Sequence, residues 1–452
     1  MSVASGQAPL ASTASARYGL LGLPLAFVAL PVYVHLPNHY AQHHAVPLAA
    51  LGGVLLFSRA ADALIDPWLG RVGDALYRRA WRAVGWAAVL LALGIAAGFI
   101  ALFFPPALSP SGLLLWVAAA LTLSHVSYSG LTILHQAWAA RQGGGVHAQS
   151  RWVAWREGWG LVGVLLASAL PTLLGWTVTT GVLVLALLAG LWAWQQAQNQ
   201  TQNQNQNKKG VDAPAPTLDA VAAPESSAFW RPWRTPGFAR LLGVFVVNGL
   251  ASALPATLVL FFVQDGVQAP QAMQPLFLGV YFAAGALSFP LWLRVIDRVG
   301  LLRSWWAGMA LSVLAFAGVL ALGPGDAYAF LGVCLASGLA LGADLTVPGA
   351  LLNQLIDRSG ERGRTDGAFM GWWNLATKLN LALAAGLALP LLALGGYAPG
   401  QREPGALLTL SLAYGLLPCL LKLLAMGGLY IGLMRTPTLL RMPPHRIEST
   451  GS

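Results

Sequence analysis

The chain has 452 residues, of which 56% are hydrophobic and only 9% charged, against roughly a quarter charged in ordinary soluble domains. That balance excludes a soluble globular domain and leaves an integral membrane protein. The formal net charge of +10 at pH 7 is gathered in short connections between apolar runs, so it reads as membrane topology and not as a nucleic-acid partner.

Residues 1–17 are rich in Ala and Ser around Arg17 and lack the basic start and short apolar core of a cleaved signal, so they read as a disordered tail. Twelve apolar runs follow, each near the length of about 20 residues that crosses a bilayer core of roughly 30 Å. They fall at 18–40, 47–70, 83–104, 111–138, 152–175 and 177–196, then at 237–264, 272–294, 303–323, 327–356, 366–396 and 405–434. The first ends in "HLPNHYAQHH", where His35, His39 and His43 recur every fourth residue as zinc ligands could. Pro37 disturbs that helix end and no carboxylate lies nearby, so no metal is expected.

With the N-terminus inside, Arg71, Arg78, Arg79 and Arg82 follow the second run, and Arg141 and Arg151 flank the connection after the fourth. Arg294, Arg298 and Arg303 follow the eighth, Arg358, Arg362 and Arg364 the tenth, and Arg435, Arg441 and Arg446 the last. Only Arg402 falls on the other side. Basic residues gather in cytoplasmic loops, so both termini are expected in the cytoplasm. Cys334 and Cys419 both lie inside apolar runs and read as small buried residues.

Between the sixth and seventh runs stands "QQAQNQTQNQNQNKKGVDAPAPTLDAVAAPESS", a polar tract turning to Ala and Pro that cannot bury a core. It divides the chain into an N-terminal six-helix bundle at 18–196, a cytoplasmic linker at 197–236, a C-terminal six-helix bundle at 237–434 and a tail at 435–452. A repeat supports the division: Pro67, Arg71, Val72 and Asp74 after the second run share one register with Pro290, Arg294, Val295 and Asp297 after the eighth. A weaker echo pairs Leu134 and Gln136 with Leu352 and Gln354. Corresponding helices therefore run the same way, as in the parallel half-repeats of major facilitator transporters. The fold class expected is all-α integral membrane, twelve transmembrane helices in two six-helix halves.

In that register Arg59, Asp62 and Asp66 align with Phe282, Gly285 and Phe289, so the charges belong to the first half alone. Positions i, i+3 and i+7 share one helix face. At 1.5 Å per residue, Asp62 lies about 18 Å from Asp74 and well inside the bilayer. A charge near the bilayer centre costs roughly 2.5–3.5 kcal/mol on insertion scales and marks function by default. One arginine offsets one carboxylate, and the remaining negative charge suits Na⁺ or a proton. The bland reading is a neutralised pair with a helix cap where Pro67 interrupts.

Further polar groups fall inside the runs: Lys378 with Asn374 one turn before it, Asp344, His125 and Lys422. Asp344 and Lys422 read equally as a structural bridge or as pathway groups, and a lone histidine is more often a satisfied core residue. Tyr128, Trp372 and Trp373 are candidates to line an apolar substrate cavity. No phosphate-binding loop, metalloprotease motif or nucleophile elbow occurs, so ATP-driven transport within the chain is excluded and no enzyme is expected.

The stretch "SRAADALIDPWLGRVGD" resembles the second-helix signature of the glycoside–pentoside–hexuronide:cation symporters, the major facilitator branch that includes the bacterial melibiose carrier and animal sodium-dependent lysolipid symporters. "GADLTVPGALLNQLIDRSGERGRTDGAFMGWWNLATKL" is similar to that family's segment over helices 10 and 11. The resemblance implies that Asp62 and Asp66 bind the cation, with Arg59 and Lys378 balancing their charge. An acid of sugar-transporting members falls near Pro24 and another near His125, and neither is present here.

The expectation is a secondary active transporter coupling a small organic solute to Na⁺ or H⁺ by alternating access, without other cofactors. Asp62 and Asp66 are the cation ligands, Arg59 and Lys378 the charge-balancing groups, and His125, Tyr128, Asp344, Trp372 and Asn374 the substrate pathway. The alternatives are a proton-driven exporter of an amphipathic or lipid-like solute and a non-transporting receptor or scaffold. The partners expected are solute, cation and membrane lipid, with no nucleic acid, and the state is a monomer in the inner or plasma membrane.

Overall fold

A computed structural model of the chain describes residues 8–36, 40, 48–143, 145–209, 225–270, 273–397 and 400–435. Among these, every regular element is a helix. The first half contains α1 (Ala8–Gly19), α2 (Gly22–Leu30), α3 (Leu48–Arg79), α4 (Trp81–Phe103), α5 (Pro110–Gln142) and α6 (Val146–Lys209). A short α7 (Glu225–Arg234) leads to α8 (Phe238–Phe261), α9 (Gln274–Val299), α10 (Leu301–Ala317), α11 (Ala327–Arg358), α12 (Asp366–Leu394), α13 (Pro404–Ser411) and α14 (Leu417–Leu429).

Nine segments of the described residues are long and apolar enough to cross a membrane. The 32-residue α3 is of comparable length but carries Arg59, Asp62, Asp66, Arg71 and Asp74, and is not among the nine. Two expected spans are joined without a loop in α6. They part at Gly175, whose φ of 75° and ψ of 175° interrupt the helix in a region that a residue with a Cβ enters only with strain.

Two boundaries differ from the sequence reading. The expected N-terminal tail is helical from Ala8, and Ser15 and Tyr18 are each 1% exposed. Their seat against α6 is a tertiary contact that local composition does not announce. The expected linker is likewise helical to Lys209, as a continuation of α6, and again over α7. A polar helix can extend from a preformed one because elongation avoids the cost of nucleation.

One apolar core runs through both halves, joining Tyr18, Trp138 and Trp194 to Trp305, Ile356 and Phe369. It reaches the end of the bundle that carries the arginine-rich connections, and in the first half it extends to the opposite end as well, through Leu36, Tyr40, Phe103 and Leu113. A second core, built on Phe262, Phe330, Tyr397 and Tyr414, is confined to the second half at the opposite end. The halves meet through α3 against α12 and through α6 against α9 and α11. The shared aspartate of the repeat sits on that junction in both halves. Asp74, in the last two turns of α3, accepts hydrogen bonds at the start of α12, whereas Asp297, in the last turn of α9, meets His147 at the start of α6.

Candidate cation site and gate

The helical spacing of Asp62 and Asp66 places both carboxylates on the side of α3 that faces α5 and α12. Asp62 and Asp66 side chains are 3% and 0% exposed, and the Lys378 ammonium, carried by α12, reaches both: 2.6 Å to Asp62 Oδ2 and 2.8 Å to Asp66 Oδ1. The Ser129 hydroxyl on α5 donates to Asp62 Oδ1 at 2.8 Å and accepts from Lys378 Nζ at 2.6 Å. Four groups from three helices thus form one closed cluster. Asp66 Oδ2 is buried with no hydrogen-bond partner among the described residues. A carboxylate offers about four acceptor positions, so a small hard cation would find oxygen here that the protein does not occupy.

Of the residues expected to share this site, Asp62, Asp66 and Lys378 come together. Arg59 lies on α3, but its side chain is outside the described residues. His125 is one turn above Ser129 on α5, and its Nδ1 stands 3.0 Å from Ser58 Oγ, one turn before Asp62 on α3. Polar contacts between α3 and α5 therefore recur every four residues. A small cavity beside them is lined by Val28, Val32, Ser124, His125 and Tyr128.

Asp344 does not join this cluster. Lys422 bonds its carboxylate from α14, Trp305 and Asn248 each donate at 3.1 Å, and Lys422 also donates to Asn248 at 2.9 Å. All of these partners belong to the second half. Trp372 packs against Phe229, Trp230 and Trp233 at the arginine-rich end and donates to the Phe229 carbonyl at 3.1 Å. Trp373 stacks on Phe245 with ring centroids 3.9 Å apart, and Asn374 is buried on the same helix. Among the described residues no group of three or more His, Cys, Asp or Glu could hold a metal. His35 contacts the Trp176 ring edge-on, while His39 and His43 lie outside the described residues.

A second charged arrangement closes the arginine-rich end. Asp74 accepts from the Gly367 and Ala368 amides at 2.8 and 3.0 Å, where the first turn of α12 leaves N–H groups without helical partners. Arg141 stands 2.8 Å from Asp74 and 3.2 Å from Asp366, and donates to the Gly363 carbonyl at 3.0 Å. Below it, Gly70 and Gly367 bring α3 and α12 into backbone contact. All hydrogen bonds and ion pairs found between the halves, among the described residues, lie at Lys378 or on this side of it.

Sequence reasoning did not single out Ser129, Arg141 and Asp366, which the structure places in the two charged arrangements. Ser129 carried a faint signal, one turn from His125 on the same face. Arg141 was legible only as a charge beside a connection and Asp366 only as the start of an apolar run, because their pairing spans two helices from different halves.

Two helical halves that carry the same motif at matching helix ends and meet over a buried charge cluster define a membrane transporter of repeated halves. The chain belongs to the MFS/sugar transport protein family, which matches residues 15–432. Among curated proteins no sequence matches the chain. A bacterial homologue of the iron transporter ferroportin, in an outward-facing state, is similar with a TM-score of 0.64 at 18% identity, covering 92% of this chain and 99% of that one. The fucose:proton symporter of E. coli is similar with a TM-score of 0.56 at 13% identity, covering 93% and 99%. At such identities the likeness shows the fold alone.

Proposed function

We propose that the chain is a cation-coupled symporter of a small organic solute, working by alternating access, with Asp62 and Asp66 as ligands of Na⁺ or a proton and Ser129 as a further oxygen. The observation that carries this reading is the position of Lys378. An ammonium from the second half lies between two carboxylates of the first, and it leaves one negative charge over. A cation entering at Asp66 Oδ2 competes with Lys378 for the same oxygens. Its binding weakens the charged link between the halves at mid-depth and couples the site to their relative movement. The resemblance of the α3 and α12 segments to the melibiose-carrier branch supports the same assignment. The arginine-rich end is then the cytoplasmic one, with both termini inside, twelve crossings and the closed gate on the cytoplasmic side of an inner or plasma membrane.

The test is thermal unfolding of the purified protein in Na⁺ against choline, at two pH values, for wild type, Asp62→Asn and Asp66→Asn. Cation coupling predicts a Na⁺- or pH-dependent shift in wild type that both variants lose. A wild type indifferent to Na⁺ and pH, with variants behaving identically, would falsify the assignment. Uptake into proteoliposomes on a sodium or proton gradient then separates the two ions.

A further inference from the structure

The short helix α7 lies across the arginine-rich end and touches both halves. Its Phe229 ring packs 5.1 Å from Trp68 of α3 and 5.3 Å from Trp372 of α12. The Phe229 carbonyl accepts the Trp372 indole N–H, so backbone and ring are both held. Arg231 anchors the same helix through a 2.6 Å bond to Glu361, whose side chain is 5% exposed and also accepts from Thr365. One side of α7 is thereby fixed to the closed junction.

The other side is apolar, basic and uncovered. Trp68, Trp230 and Trp233 are 57%, 52% and 43% exposed. The Arg71 guanidinium lies 5.0 Å from the centre of the Trp68 ring and 5.8 Å from that of Phe229. Neither Arg71 nor the exposed Arg234 pairs with a carboxylate among the described residues, whereas Arg231 is already neutralised by Glu361. Indoles concentrate at the boundary between headgroups and acyl chains, and basic side chains beside that boundary draw anionic lipid. The charge decides the occupant: exposed indoles alone would fit any lipid, but two unpaired guanidiniums among them select a negative headgroup.

We propose that Trp68, Trp230 and Trp233, with Arg71 and Arg234, form a docking surface for anionic lipid headgroups. Lipid seated there holds Phe229 between α3 and α12 and so favours the closed state of the arginine-rich end. The docking stands on the geometry alone, and only its effect on closure rests on the alternating-access reading above.

The full-length protein is placed in nanodiscs of phosphatidylcholine with and without phosphatidylglycerol. Brominated phosphatidylglycerol is expected to quench more tryptophan emission than phosphatidylcholine brominated at the same depth. That excess is expected to vanish in Trp68→Phe/Trp230→Phe/Trp233→Phe and to require up to about fivefold more anionic lipid for each of Arg71→Gln and Arg234→Gln. Equal quenching by the two lipids, or an excess that survives all five substitutions, overturns the docking surface. Closure is read separately from spin labels at Val72→Cys and Val299→Cys, exposed positions of the two halves, in a Cys334→Ala/Cys419→Ala background. Phosphatidylglycerol is expected to enrich the short distance, and a distribution that ignores it overturns the link to closure. A label pair that never separates under any lipid or ion condition sinks the alternating-access reading as well, while the quenching result still decides docking.

Discussion

Gly70 and Gly367 meet backbone to backbone: a Cβ built on Gly70 would stand 2.0 Å from the Gly367 carbonyl oxygen, and one built on Gly367 would stand 2.2 Å from that of Gly70. Neither contact can be relieved by turning a side chain, because the obstacle is main chain in both directions. Small residues at helix crossings allow such approach in membranes, where dispersion and hydrogen bonds replace the hydrophobic drive. This one lies directly beside the Asp74 contacts with the start of α12.

Gly70→Ala and Gly367→Ala should therefore push α3 and α12 apart at the arginine-rich end, at a cost of about 1–3 kcal/mol to the closed state. Val153, 3% exposed beside the polar pocket between the halves, serves as the reporter. As Val153→Cys it should react faster with a maleimide in either glycine variant than in the parent. An unchanged rate would mean that the crossing does not hold the gate.

Removing Lys378 leaves two buried carboxylates, Asp62 and Asp66, facing each other. Loss of one partner from a buried charge pair typically costs about 3–5 kcal/mol. Lys378→Met should lower the thermal midpoint strongly in choline, and Na⁺ should restore more of it than in wild type, since the cluster then carries two negative charges. Adding Asp66→Asn to Lys378→Met should recover stability and weaken the Na⁺ effect. Equal midpoints in all three proteins would show that the cluster is not an electrostatic unit.

At the gate, Arg141→Ala should harm stability more than Asp74→Asn. The arginine separates Asp74 from Asp366, both nearly fully buried, and its loss sets two carboxylates against each other. Asn at position 74 keeps the shape and one acceptor for the amides of α12, so its cost should be nearer the 1–3 kcal/mol of a charged hydrogen bond lost, roughly. Chemical unfolding of the two variants gives the order, and the reverse order would contradict this account of the gate.

Asp344 and Lys422 should behave as a pair confined to the second half. Asp344→Asn and Lys422→Met should each destabilise, and the double variant should recover part of the loss, with a coupling of about 0.5–3 kcal/mol. Cation-dependent stabilisation should survive in the double variant. Its loss there would place Asp344 in the transport pathway.

The membrane class, the division into two halves and the charged face of α3 were legible in the sequence, because each rests on local composition or on a period along one chain. Length and apolarity are sufficient to mark a helix in a solvent that cannot satisfy backbone groups. Asp62 and Asp66 stood out because buried charge is costly wherever it falls, whatever packs around it. Their partners were another matter. That Lys378 faces Asp66 across 312 positions, and Arg141 holds Asp74 against Asp366, follows from which helices touch and at what height. The same holds for Asp344, whose depth resembles that of a pathway group while its neighbours, Trp305, Asn248 and Lys422, make it part of a bundle's interior. Sequence sets the chemistry and the face of each helix, because those are properties of single elements. Tertiary structure decides which charges meet, because an ion pair depends on distances between elements far apart in the chain.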